Sequence, residues 1–180
     1  RVASGFHGAR TMDGADPVDE KTVYRIYSMT KPVTAVGLLM LYEEGKFSLD
    51  DPITDFLPEM GKLVVFDGLK AGGIRTKPPG HTPTMRELLL HTAGFGYGDG
   101  QQDYVSQQYI SRQIDAASSS DELVTKVAAI PLKYQPGEAW SYSIASDLQG
   151  VIIERISGQS LDQFLEARIF APLKMTDTGF

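Results

Sequence analysis

Apolar residues recur at helical spacing along much of the chain, and turn residues separate the periodic stretches. The first stretch is apolar nearly all round between Pro32 and Gly45, which predicts a helix that begins near Pro32, ends near Gly45 and is buried between layers. The periodicity predicts helices over 29–45, 84–91, 103–115, 120–130, 145–157 and 160–170.

A run of β-branched and aromatic residues predicts a strand near 22–27, and a further strand is expected near 2–12. The region 61–80 is expected to be irregular or weakly stranded because glycines interrupt its apolar residues. Two early strands followed by a series of helices are typical of an α+β fold.

Composition narrows the functional classes. The chain is 42% hydrophobic and 22% charged, as in ordinary globular domains. A net charge of −6, with no basic stripe, is unfavourable for a nucleic-acid partner. The chain has no cysteine, and its three histidines lack metal-ligand spacing, so no metal or other cofactor is expected. The apolar run after Pro32 is far shorter than the ~20 residues that span a bilayer.

A hydroxyl and an amine stand three residues apart where the first helix begins. At this spacing Ser28 and Lys31 lie on the same helical face, so that the amine can reach the hydroxyl proton. A serine becomes a useful nucleophile when a neighbouring base removes that proton, and a Ser-x-x-Lys pair supplies the base without histidine. The alternative is that Ser28 is an ordinary helix N-cap. Lys31 occupies the place where a capping box has Glu or Gln, near the positive end of the helix dipole, which favours the catalytic interpretation.

A second aromatic cluster follows the turn at Pro136 and Gly137. Tyr142 stands just before the helix predicted over 145–157, in a good place to project its phenol into a cleft. The alternative is that Trp140 and Tyr142 are core aromatic residues beneath a loop.

Five stretches, in order along the chain, resemble the serine β-lactamase-like superfamily. Within it, the sequence is similar to the family VIII carboxylesterases, relatives of class C β-lactamases and D-alanyl-D-alanine peptidases. The five stretches are 24–32, 43–52, 88–94, 136–143 and 172–180. The resemblance implies an α+β, β-lactamase/transpeptidase-like fold, in which a helical domain packs beside part of an α/β domain with an antiparallel sheet. Residues 1–48 would form the N-terminal part of that α/β domain, and residues 49–180 the mainly helical domain.

The same resemblance implies chemical roles. Ser28 would attack a carbonyl and form an acyl-enzyme, and its backbone N–H would form one half of the oxyanion hole. Lys31 and Tyr142 would share the proton transfers. Two versions stay open: a lysine of lowered pKa accepts the serine proton, or a cationic Lys31 stabilises a phenolate on Tyr142, which then accepts it.

One departure from the family pattern concerns the substrate. Class C β-lactamases have an asparagine two residues after the tyrosine, where its amide contacts the amide side chain of the substrate, whereas this chain has Ile144. An apolar residue cannot form that hydrogen bond, which favours an ester with an apolar acyl group over a β-lactam. By resemblance, Phe95 and Tyr97 would line the same cleft.

A second departure concerns length. The family's fold needs about twice this many residues, and its third motif, which completes the oxyanion hole, comes from the C-terminal half. The sequence is therefore expected to be the first half of a larger polypeptide, with the missing C-terminal half as its partner. An absent N-terminus would hide a signal peptide, so the cellular compartment is left undetermined.

The leading hypothesis is a serine carboxylesterase that cleaves short- to medium-chain esters through an acyl-serine intermediate. The alternatives are a β-lactamase or D-amino-acid peptidase, and an acyltransferase of the same superfamily. A non-enzymatic alternative is an inactive fragment that needs its C-terminal half. The chain has no Gly-x-Ser-x-Gly motif, which excludes the α/β-hydrolase elbow. His91 is expected to hold a turn.

Overall fold

The computed structural model describes residues 3–98, 100 and 102–180, and it divides into two compact units, Arg1–Thr30 and Lys31–Phe180. The α-helices are α1 (Thr30–Glu43), α2 (Met85–Leu89), α3 (Tyr104–Ser111), α4 (Ser120–Ala128), α5 (Ala145–Ser157) and α6 (Leu161–Leu165). The strands are β1 (Val65–Lys70) and β2 (Gly73–Lys77). Short 3₁₀ turns cover Tyr27–Met29, Ile53–Asp55, Pro58–Lys62 and Ile114–Ala116, and a π turn covers Glu166–Phe170. A helix is present at each of the six predicted places. The predicted domain division at residue 48 stays a prediction.

The strands predicted near 2–12 and 22–27 are wrong for the described residues. Between residues 3 and 26 the backbone is irregular, and a single bridge pairs Ala9 with Pro17. A strand is stable only when its backbone groups bond to a neighbouring strand. The β-branched and aromatic run at 22–27 has no such neighbour among the described residues, so its sequence preference alone does not produce a strand.

The region 61–80 contains an antiparallel hairpin. Its strands β1 and β2 pair Val65 with Lys77 at the open end and Lys70 with Gly73 at the turn. The register shifts between residues 66 and 69, where Gly68 has a φ of 109° that only glycine adopts readily. The weak strand signal at this place therefore reflects a bulged hairpin.

The core of the larger unit is built around α5. Its Leu148, Ile152 and Ile153 are inaccessible to solvent. Helix α1 approaches closely at Gly37, where a Cβ atom would come within 3.0 Å of the Leu165 side chain. The absence of a side chain at Gly37 thus sets the distance between α1 and α6.

Helix α1 buries only one of its faces. Thr34, Leu38 and Leu41 are buried, whereas Val36 is 50% exposed and Leu39 is 40% exposed. The expectation of a helix buried between layers is therefore met on one side. No helix in the described part of the chain has the length and apolar character needed to cross a membrane.

Candidate active site

Ser28 lies in the N-terminal unit, on the 3₁₀ turn that precedes α1 in the sequence. The residue before it, Tyr27, has a φ of 45° in the left-handed region. That conformation costs a residue other than glycine about 1 kcal/mol, and such strain is concentrated at functional sites. The backbone N–H of Thr30 donates to the carbonyl oxygens of Ser28 and Tyr27, which fixes the turn. Ser28 therefore lies on a tight, strained turn, directly after the stretch where a strand was predicted.

Lys31, in the first turn of α1, lies against two tyrosines of the larger unit. Its Nζ is 5.0 Å from the ring centroid of Tyr142 and 5.4 Å from that of Tyr97. The lysine side chain is also hydrogen-bonded to the side chain of Tyr142. The two rings are perpendicular, with centroids 5.4 Å apart. Because the face of an aromatic ring attracts cations, both contacts favour the charged lysine.

The charge of Lys31 follows from these neighbours. Burial lowers its pKa, but the hydrogen bond with Tyr142 and the charges of Tyr97, Tyr142 and Asp147 outweigh burial, so that the pKa lies above its ordinary value. For Asp147, in contrast, burial is the dominant effect on the pKa. Burial raises its pKa, and the charge of Lys31 only partly offsets that rise. An ammonium group therefore stands beside the phenol of Tyr142 at neutral pH.

His91 holds the turn that carries Tyr142. Its carbonyl oxygen accepts a hydrogen bond from the backbone N–H of Ser141 at 2.9 Å, and its Nδ1 accepts one from the N–H of Ser143 at 3.2 Å. The prediction that His91 holds a turn is confirmed. The sequence reasoning missed a further contact, in which the imidazole stacks on Tyr142 with centroids 5.6 Å apart and an angle of 5° between the planes.

Local sequence places His91 at the end of α2. Thr84 and Glu87 form a capping box that starts this helix, since each side chain accepts the backbone N–H of the other. The backbone N–H of Thr92 then donates to the carbonyl of Glu87 at 2.8 Å, and His91 takes a left-handed φ of 58°. The chain reverses at this point and turns the imidazole toward Tyr142.

The aromatic residues near the turn are not in the core. Trp140 is 66% exposed, and Tyr142 is partly exposed. The alternative in which both are core aromatic residues is therefore wrong. Phe95 was expected to line the cleft, but it is a core residue. It is 1% exposed and does not border the cavity beside Tyr97.

Tyr97 and Ile144 are held near each other by Gly96. The carbonyl of Gly96 accepts the backbone N–H of Ile144 at 3.0 Å, and Tyr97 is the next residue along the chain. Both residues border a cavity of about 380 Å³, in which Leu123 adds apolar surface and Asp147 adds a carboxylate. The cavity thus combines aromatic, aliphatic and acidic walls, and one of its wall residues, Tyr97, contacts both Lys31 and Tyr142.

Within the described residues, the structure contains no cluster of three or more histidine, aspartate or glutamate side chains that could hold a metal ion. The candidate chemistry is carried by the hydroxyl, amine and phenol groups.

Comparison with known proteins places the chain in a family. A family profile described as Beta-lactamase matches residues 1–180. Esterase EstB of Burkholderia gladioli is 35% identical over 176 residues, which cover 96% of this chain and 42% of EstB. The chain therefore belongs to the beta-lactamase family, and it spans less than half the length of the curated relatives that it matches.

Solved structures agree on the fold. Simvastatin synthase (LovD) from Aspergillus terreus is 28% identical, with a TM-score of 0.75 over 92% of this chain and 41% of LovD. EstCE1, described as a hydrolase with promiscuous acyltransferase activity, is 25% identical, with a TM-score of 0.74 over 93% of this chain and 42% of EstCE1. The predicted α+β, β-lactamase/transpeptidase-like fold is confirmed.

Proposed function

We propose that the protein is a serine carboxylesterase that cleaves short- to medium-chain esters through an acyl-serine intermediate. The observation that carries the proposal is the pairing of Lys31 with Tyr142, whose ring centroid lies 5.0 Å from the lysine Nζ although the two residues are far apart in the sequence. Ser28 precedes Lys31 by three residues in the sequence, the spacing of the family's nucleophile motif.

In the proposed reaction, the Ser28 hydroxyl attacks the ester carbonyl and its proton passes to Tyr142. The raised pKa of Lys31 supports the version in which a cationic lysine stabilises the phenolate, because a lysine that holds its proton tightly is a poor base. The backbone N–H of Ser28 stabilises the oxyanion. Tyr142 then protonates the departing alcohol and becomes a phenolate again. The phenolate takes a proton from a water molecule that attacks the acyl carbonyl, and it returns this proton to the Ser28 oxygen as the acyl–oxygen bond breaks and the acid leaves.

The substrate class follows from the side chains beside this pair. Ile144 is 6% exposed and offers no hydrogen bond at the place where class C β-lactamases have an asparagine. Tyr97 adds an aromatic wall to the same cavity. An apolar acyl group suits these walls better than the amide side chain of a β-lactam, and the similarity to an esterase such as EstB supports the same choice.

The test measures hydrolysis of a chromogenic butyrate ester by the full-length protein. Ser28→Ala is expected to lose a hundredfold or more of kcat/KM, on the order of what removal of a nucleophile costs. Ser4→Ala, which changes an exposed serine of the same unit, is the matched control and is expected to keep full activity. A fluorophosphonate should label Ser28 in the wild type. Undiminished hydrolysis by Ser28→Ala would remove the assignment.

Acyl transfer to an alcohol is the second candidate, favoured by the similarity to EstCE1. The acyl-serine would then pass its acyl group to an alcohol in place of water. Product analysis with an added alcohol separates the two, since a transferase yields a new ester and a strict hydrolase yields only the acid.

A further inference from the structure

We propose that His91 is a positioning residue for Tyr142, which it holds in place as a neutral imidazole protonated at Nε2. The inference rests on the proposed function, because it assigns the phenol of Tyr142 a proton-transfer role that needs a fixed orientation.

His91 restrains Tyr142 from both sides of the chain. It accepts a hydrogen bond from Ser141 through its carbonyl oxygen and from Ser143 through Nδ1, so the residues on either side of Tyr142 are bonded to it. The nearly parallel stack of the two rings then limits rotation of the phenol. Proton transfer depends on the placement of the reacting groups to within about an ångström. The three contacts act together on one side chain.

The tautomer follows from the donor that His91 faces. A backbone N–H can only donate, so the N–H of Ser143 requires an unprotonated Nδ1, and the ring proton lies on Nε2. The hydroxyl of Ser143 lies 3.0 Å from the same nitrogen and accepts the backbone N–H of Ala145 at 3.3 Å. Protonation at Nδ1 would place two donors face to face and break the contact with Ser143.

The surroundings also oppose a charged imidazole. Burial lowers the pKa of His91, and the nearby charge of Lys31 lowers it further. Lys31 on α1 and the phenol of Tyr142 are the titratable groups that face the ring in the described part of the chain. A charged His91 would also repel Lys31, which the proposed mechanism needs beside Tyr142. The imidazole thus stays neutral at neutral pH, and kcat is expected to fall on the acid side, below the ordinary histidine pKa of 6.5.

Two variants each remove one of the contacts that His91 makes, either the stack on Tyr142 or the hydrogen bond from Ser143. His91→Asn keeps an acceptor near the place of Nδ1 and suits the left-handed backbone, but it removes the stacked ring. His91→Phe keeps a ring and removes the acceptor. Both are expected to lower kcat about tenfold or more while KM changes little, because binding of the ester does not involve the imidazole. His91→Asn should also lose the acidic fall of kcat. His7→Asn, which changes an exposed histidine of the N-terminal unit, is the control with wild-type kinetics.

Three readouts on the full-length protein decide the question. The ¹⁵N shifts of the His91 ring in the wild type should show the Nε2–H tautomer, and this measurement does not depend on whether the variants fold. An Nδ1–H tautomer, a wild-type kcat in His91→Asn, or an unchanged acidic fall in that variant would overturn the positioning role. Fluorophosphonate labelling of wild-type Ser28 tests the proposed function separately. A labelled Ser28 together with any of those three results rejects only the role of His91, whereas an unlabelled Ser28 rejects the esterase itself.

Discussion

The hydroxyl oxygen of Tyr109 accepts a hydrogen bond from the backbone N–H of Gly96 at 3.2 Å, and both residues are closed to solvent. A Cβ atom on Gly96 would come within 3.0 Å of the Tyr109 ring, so the loop can lie this close only with glycine. The contact ties α3 to the loop that carries Tyr97, and Tyr109 and Tyr97 both border the cavity of the candidate site.

Removal of the Tyr109 hydroxyl should weaken the fold. In Tyr109→Phe the buried N–H of Gly96 loses its acceptor, which is expected to lower the free energy of unfolding by about 1–3 kcal/mol. Urea unfolding measures the change. Tyr104→Phe is the matched control, because within the described residues the Tyr104 hydroxyl has no hydrogen-bond partner and its ring stacks on Phe66 at 5.2 Å. Equal losses in the two variants would contradict the importance of the bond to Gly96.

The stabilisation contributed by Lys31 should fade at high pH. Burial lowers the pKa of Lys31, yet the hydrogen bond with Tyr142 and nearby negative charge raise it above 10.5 overall. A raised pKa means that the folded protein holds the proton more tightly than the unfolded chain. The stabilisation is therefore complete below the unfolded pKa and is lost as pH rises through the folded one.

The comparison of wild type with Lys31→Met measures this effect. The difference in their free energies of unfolding is expected to be at most about 1 kcal/mol near neutral pH, since Lys31 is partly exposed, and to shrink above about pH 10.5. Lys46→Met changes an exposed lysine and should show no such trend. A difference that grows with pH would show that the sign is wrong.

Gly94 should tolerate no side chain. It has a φ of 89°, and a Cβ atom would lie 2.3 Å from the carbonyl oxygen of Tyr134, which belongs to the backbone and cannot swing away. Gly94→Ala is expected to cost about 3 kcal/mol or more, from backbone strain and overpacking together. Gly72→Ala isolates the strain, since Gly72 has a similar φ of 78° with nothing within 4 Å, and it should cost about 1 kcal/mol. Thermal unfolding that ranks the two variants equally would contradict the close contact at Gly94.

Ile144 should control the choice between esters and β-lactams. Ile144→Asn places an amide among apolar neighbours, so hydrolysis of a butyrate ester is expected to fall by about tenfold. The new amide can bond to the amide side chain of a cephalosporin, so the ratio of kcat/KM for a cephalosporin reporter to that for the ester should rise. Ile144→Val keeps the apolar wall and should leave the ratio near its wild-type value. An unchanged ratio in the asparagine variant would mean that Ile144 does not select the substrate.

The helices could be predicted from the sequence because their signals are local. The apolar spacing along 145–157 and the left-handed Gly158 that ends α5 lie within the same stretch of chain. Whether residues 2–12 and 22–27 form strands could not be predicted, because strand formation needs a partner that local composition does not specify. The hairpin at β1 and β2 was only weakly indicated, since Gly68 breaks the alternation at its bulge.

The candidate site likewise has residues that the sequence indicates and contacts that it does not. Ser28 and Lys31 are evident because they lie three positions apart in the sequence, and Tyr142 stands out only through its resemblance to a family motif. The stack of His91 on Tyr142 joins positions that are distant in the chain, and no local pattern indicates it. The charge of Lys31 likewise depends on Tyr97 and Asp147, whose approach is a property of the packed structure.

The backbone bond between Ile144 and Gly96 has a consequence for engineering. Because this bond joins the segments that carry positions 97 and 144, and both side chains border the same cavity, the two positions are expected to show epistasis. Libraries that randomise them one at a time would miss combinations in which each change compensates for the other, so for the proposed esterase a combinatorial library at 97 and 144 is expected to alter acyl selectivity more than either single library.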